Sequence, residues 1–150
     1  MAVASWTTLV YAALLATSPE SYAQAHQVST TTGRPMLVMV SASWCTACRQ
    51  MEVEVLPKLR RRGLFGRVVF AVVDVDKERK LAEKLIQGGP IPQLILFRRS
   101  GRTWFRRRLV GRHNVETVEA FVDDALRKDT GSPARRTVST PAPAGSPNRS

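Results

Sequence analysis

Cysteine is almost missing from this chain: Cys45 and Cys48 are the only two among 150 residues, and histidine is as scarce, with His26 and His113 alone. A structural zinc site takes about four ligands. Two cysteines and two isolated, distant histidines offer no metal set, and no cofactor pattern is legible. Two cysteines also rule out a scaffold held together by several disulfides. Long apolar runs are missing as well: Leu9 to Ala16 falls far short of the roughly 20 residues that a membrane-spanning helix needs. No internal repeat is visible. Acidic side chains are few, 12 against 23 basic ones, for a formal charge of +11. That balance favours anionic partners such as nucleic acid or lipid headgroups. Aromatic residues, at 7%, are too thinly interleaved with the arginines (Trp104, Phe105) to make a base-stacking platform.

The two cysteines stand together, in Trp44-Cys45-Thr46-Ala47-Cys48, directly after the apolar run Met36 to Val40 and before a helical pattern. A cysteine that begins a helix faces unpaired backbone N–H groups and the positive end of the macrodipole. Such an environment stabilises a thiolate and takes the thiol from about 8.5 into a range of roughly 3.5–7.5. Cys48, one turn on, is within reach of Cys45 for a disulfide. Redox chemistry suits this spacing. Three other uses stay open: a structural disulfide, which over so small a ring would stabilise weakly; a zinc site, short of ligands; and two buried, inert thiols.

Residues 1–25 carry no Lys or Arg. Their order of apolar run, Ser18-Pro19 breaker and Ala23-Gln24-Ala25 predicts a secretory signal cleaved after Ala25. The competing reading is a buried N-terminal helix. Residues 26–34 are a polar lead-in. Met36–Val40 reads as a strand buried on both faces. The following helix carries Met51, Val55 and Leu59 on one face, and Pro57 should kink or end it near Leu56. A second strand spans Val68 to Asp74. A helix from Lys77 to Gln87 follows, with Asp76 as its N-cap. After Gly88-Gly89-Pro90 come Ile91-Pro92, a third strand from Gln93, a turn at Gly101, and an edge strand from Arg102 to Val110. Asn114 caps a last helix with Val118, Phe121, Val122, Ala125 and Leu126 inward. The domain spans 35–128. From 129 to 150 the chain is Ser, Pro, Ala, Thr and Arg, a composition that predicts disorder. The element order predicts an α/β sandwich with the cysteines at the carboxyl end of the first strand, where open α/β sheets place their sites.

These residues resemble the thioredoxin-like family. The likeness rests on the stretch from Met36 through Trp44-Cys45-Thr46-Ala47-Cys48-Arg49, on Val73-Asp74-Val75-Asp76, on Ile91-Pro92, and on Gly101 and Gly111. The Trp-Cys-x-Ala-Cys form with Met51-Glu52 is most similar to the C-terminal domain of the bacterial thiol:disulfide interchange proteins. The resemblance implies a three-layer sandwich with a mixed four-stranded sheet flanked by helices, in a short version lacking the family's first strand and helix. It implies that Cys45 attacks and Cys48 resolves, and that Trp44, Thr46, Ala47, Ile91 and a cis Pro92 support or bind substrate. It also implies a monomer working on protein disulfides or dithiols with a redox partner protein, as a reductant more than an oxidant, without a cofactor. Two departures stand out: Met39 occupies the place of the family's buried Asp, and Val72 that of its Lys neighbour. With a signal sequence the site of action is extracytoplasmic, in the periplasm; without one it is cytoplasmic. A second hypothesis is a thioredoxin-fold module whose arginines (Arg60 to Arg62, Arg98, Arg99, Arg102, Arg106 to Arg108) attract anionic surfaces weakly, without specific nucleic-acid recognition.

Overall fold

The computed structural model describes residues 21–127. The Leu9–Ala16 run and the tail from Asp129 lie outside the described residues.

The sheet forms around Met36–Ser41, strand β1, all six residues of which are buried. A strand with apolar side chains on both faces is stable only with a layer on each side, and this one has both. Strand β2 (Val69–Asp74) pairs parallel to β1, while β3 (Gln93–Ser100) pairs antiparallel on its other side and β4 (Thr103–Val110) closes the far edge, giving the order β2-β1-β3-β4. Alternation divides β1 between two cores. Leu37 and Met39 face a cluster with Cys48, Met51, Leu59, Leu96, Val118 and Val122; Met36, Val38 and Val40 face one with Ala71, Ala82, Leu85 and Ile95. The expected mixed, four-stranded three-layer sandwich is what forms.

The helices on the first face come from the crossover between β1 and β2. Helix α2 (Thr46–Gln50) runs without a break through a π-helical turn at Met51–Val55 into α3 (Leu56–Arg61), and α4 (Leu64–Arg67) follows. Pro57 does not stop the coil near Leu56. In a regular α-helix its ring would meet the carbonyl four residues back. Here the preceding turn widens, with Leu56 N–H donating to Met51 O five residues back, and the helical path continues to Arg61.

The largest departure lies ahead of β1. Residues 26–34, expected as a lead-in to a domain starting at 35, fall mostly within helix α1 (Tyr22–Thr32). A helix therefore does precede the first strand, contrary to the expectation of a chain that starts at that strand. The predicted cut after Ala25 would fall inside it. Ser21 and Gln24 form a reciprocal capping box at its start, and Ala25 and Ser29 are buried. Ala25 sits against the β1–β2 face with Tyr22 and Val28 packed alongside. Ser29 Oγ donates to Arg34 O at 2.6 Å, and Arg34 Nη2 reaches the carbonyls of Phe65, Gly66 and Val68. Helix α1 is thus tied to the end of the crossover as well as to the sheet.

Helix α5 (Arg79–Ile86) starts two residues later than predicted. Asp74, not Asp76, receives the backbone: its Oδ1 accepts from the N–H groups of Asp76 and Lys77 at 2.8 and 3.2 Å, an Asx turn. Helix α6 (Val115–Arg127) begins as expected, with Asn114 Oδ1 accepting from Thr117 N at 2.9 Å. No helix among the described residues is long and apolar enough to cross a membrane.

Candidate active site

The parallel β1–β2 pair sends the chain out of the sheet at Ser41, and a tight turn brings it to Cys45, whose N–H donates to Ala42 O at 3.1 Å. Cys45 is the N-cap of α2, with extended backbone, and its Sγ accepts from Cys48 N at 3.2 Å. A sulfur at an N-cap takes the place of the side-chain oxygen that satisfies orphan N–H groups elsewhere. Cys45 and Cys48 form a disulfide, with their Cα atoms 5.2 Å apart. They differ in access: Cys45 is 7% exposed and Cys48 is fully buried.

Three other segments close around the pair. The Ile91–Pro92 peptide bond is cis, and Ile91 O lies 3.9 Å from Cys45 Sγ. Pro92 O accepts from Gly111 N at 2.8 Å, which joins the end of β4 to the same rim. Trp44 stands out into solvent, 67% exposed, with its indole N–H donating to Asp76 Oδ2 at 3.0 Å. Thr46 is exposed and Ala47 half-buried on the first turn of α2, while Pro92 is buried. All seven residues singled out in the sequence (Trp44, Cys45, Thr46, Ala47, Cys48, Ile91 and Pro92) therefore collect at the carboxyl end of β1. Asp76, Gly111 and Gln93 join them without having been singled out for the site. Gln93 did carry a signal, as the polar residue that opens the apolar run Leu94 to Phe97.

The floor of the site is apolar. Met39 is fully buried, pairs in register with Val72, and shares a cluster with both cysteines. No group of three or more His, Cys, Asp and Glu that could hold a metal occurs among the described residues.

Several arginines pair with groups of the fold itself. Arg62 bridges Glu116 and Glu119 at 3.0 and 2.7 Å, Arg67 meets Asp123 at 2.6 Å, and Arg107 pairs with Asp124. Arg106 donates to Leu85 O and Arg108 to Ile86 O. Burial, and then the charge of Arg108, pulls the Arg106 guanidinium below its usual value. Glu116 is held below the usual carboxylate range by a hydrogen bond with its own backbone first and by Arg62 second.

A thioredoxin-like domain model matches residues 22–126, which begins with helix α1 rather than with β1. The thiol:disulfide interchange protein DsbD of Ralstonia nicotianae (strain ATCC BAA-1114 / GMI1000) is 30% identical over 115 residues, covering 74% of this chain. The chain spans only 19% of that relative's length. Among solved structures, a thioredoxin from Thermus thermophilus superposes with a TM-score of 0.63 over 73% of this chain and 87% of its own, at 23% identity, a likeness of fold. Trxlp from Edwardsiella tarda EIB202 gives a TM-score of 0.52 at 29% identity, over 69% and 94% of the two chains. With a paired Cys45 and Cys48 where a strand turns into a helix, and with the match running from α1 to α6, the chain belongs to the thioredoxin-like family.

Proposed function

We propose that this protein is a thiol–disulfide oxidoreductase that reduces disulfides of protein substrates through Cys45 and Cys48. One observation carries the reading: of two sulfurs within bonding reach, only the Cys45 residue has access to solvent, and its Sγ already accepts an N–H at the start of a helix. That asymmetry supports Cys45 as the attacking thiol and Cys48 as the resolving one. In the reduced protein the Cys45 thiolate attacks one sulfur of a substrate disulfide, the substrate S–S bond breaks, and the other sulfur leaves as a thiolate. The mixed disulfide is then attacked at Cys45 Sγ by deprotonated Cys48, which forms the Cys45–Cys48 bond and releases the second substrate sulfur. Two electrons pass to the substrate, and two protons finish on its thiols. A partner dithiol protein restores the reduced pair by the same exchange in reverse.

The Cys48 N–H contact at 3.2 Å favours charge on Cys45 sulfur once the disulfide is opened. Alkylation of the reduced protein by iodoacetamide should therefore keep its rate well below the ordinary thiol inflection near pH 8.5. A rate that falls away at that ordinary value removes the attacking role from Cys45. With Met39 and Val72 beneath the pair, we assign no buried carboxylate base, and protons come and go by water.

Direction follows from the reduction potential against glutathione. A reductant sits toward the thioredoxin end of the family's span of roughly −270 to −120 mV, and a value at the other end makes this an oxidant. We place the protein outside the cytoplasm, in the periplasm, on the strength of the leader pattern in residues 1–25 and of the likeness to a thiol:disulfide interchange protein. Processing that leaves the domain whole cuts ahead of Ser21, because Ser21, Tyr22 and Ala25 belong to the packed helix. Mass measurement of the mature N-terminus tests both points.

A further inference from the structure

The segment between α5 and β3 has an unusual backbone. Gln87, Gly88 and Gly89 take positive φ in succession, at 48, 82 and 96°. Such a path continues neither a helix nor a ladder, so its carbonyls need partners from elsewhere. Side chains of β3 and β4 supply them. Gln93 Nε2 donates to Pro90 O at 2.9 Å and to Gly88 O at 3.3 Å. Arg108 Nη1 donates to Ile86 O at 2.6 Å and comes within 3.5 Å of Gly88 O. Arg106, two residues earlier on the same face of β4, donates to Leu85 O. The sheet register explains the convergence: Arg108 pairs with Ile95 and Arg106 with Phe97, so both project, like Gln93, toward the face that α5 covers.

Gln93 is the informative member. It is fully buried, and its Oε1 is buried without a hydrogen-bond partner among the described residues. Both neighbours of its other end are carbonyls, so the amide nitrogen must face them. An orphaned buried oxygen is destabilising, a cost that an apolar residue at this strand start would avoid. The amide is thus placed for what its NH2 group holds. That is the loop ending in Ile91 and Pro92, whose Ile91 carbonyl faces Cys45 Sγ.

We propose that Gln93 and Arg108 are positioning residues: they brace the 86–90 backbone so that Ile91–Pro92 is presented, already set, to an extended segment of a client polypeptide beside Cys45. Neither touches a sulfur. The proposal rests on the disulfide-exchange reading. It predicts a split between clients that dock and small molecules that only meet the sulfur. A misplaced docking segment costs reaction rate steeply even when the reacting groups are intact.

The test uses the full chain, as Gln93→Met and Arg108→Met, each of about native volume without the donors. Second-order rates are measured for reduced protein with insulin and with the small disulfide DTNB, alongside the reduction potential. Expected are a loss of about tenfold with insulin, a change below about twofold with DTNB, and an unmoved potential. Arg108→Lys, which keeps one donor, should recover part of the insulin rate. Parallel losses on both substrates, or no loss on either, overturn the bracing role. Should Gln93→Met fail to fold, the exposed Arg108 carries the test alone. A wild-type protein inert toward both disulfides sinks the oxidoreductase reading itself, and the positioning role with it.

Discussion

Cys45→Ser is expected to abolish reduction of a protein disulfide, by on the order of 10³-fold or more, while Cys48→Ser should keep the attack and lose the release. The two cysteines sit in one ring of chain yet differ in exposure, 7% for Cys45 against none for Cys48. Serine at 45 leaves a hydroxyl that is no nucleophile near neutral pH without a base, and Cys48 is buried too deeply to take over. Serine at 48 leaves Cys45 at the helix start, although the backbone N–H of residue 48 still points at it. That variant attacks a client and stops at the mixed disulfide, which non-reducing gels and mass spectrometry resolve as a covalent adduct. Full exchange activity in Cys45→Ser protein, or adducts trapped equally by both variants, would falsify the assignment of roles.

Removal of residues 1–25 should destabilise the domain where removal of 1–20 does not. The longer cut takes the capping box, worth about 1 kcal/mol, and the half-buried Tyr22 ring, whose partial burial contributes roughly 1 kcal/mol. It also takes Ala25 out of the core and leaves too few residues for a helix that holds by itself. A loss of about 3 kcal/mol corresponds to a fall in melting temperature on the order of 12–24 °C for a domain of this size. Thermal unfolding followed by circular dichroism reads the difference directly, and equal melting temperatures for the two truncations would detach α1 from the folded unit. Tyr22 gives the helix a pH signature besides. Burial raises its phenol above the ordinary 10.0. Stability from this group is therefore complete below pH 10 and declines as pH rises through the folded value. Tyr22→Phe should flatten that alkaline limb.

Much of the fold was legible because its signals are short-ranged. A continuous apolar run specifies a strand covered on both faces, and Met36–Ser41 is one. Turn and cap chemistry at Gly101 and Asn114 is likewise local. The same holds for the site, since strand end, cysteine and helix start are adjacent in the chain. Where expectation and structure part, the cause is distance or weak pattern. Helix α1 buries only Ala25 and Ser29, too small and too polar a stripe to announce itself, and its neighbouring Ser and Thr residues imitate a linker. At Pro57 the local rule was sound about the clash and silent about the remedy. A wider turn costs less here than ending a helix whose next turn buries Leu59. The arginines invited a reading as a surface for anionic partners because charge composition carries no partner information. Within the fold, Arg62, Arg106, Arg107 and Arg108 find carboxylates and helix-end carbonyls 17 to 57 residues away.

The amino-acid order alone settled that two sulfurs meet where a buried strand becomes a helix, since hydrophobic period and capping act over a few residues. Packing alone decided which cysteine keeps access to solvent, that the helix Tyr22–Thr32 belongs to the domain, and that a glutamine and an arginine from the sheet hydrogen-bond the loop leading to Ile91. Those outcomes depend on contacts between segments far apart in the chain, which form only once the layers have closed.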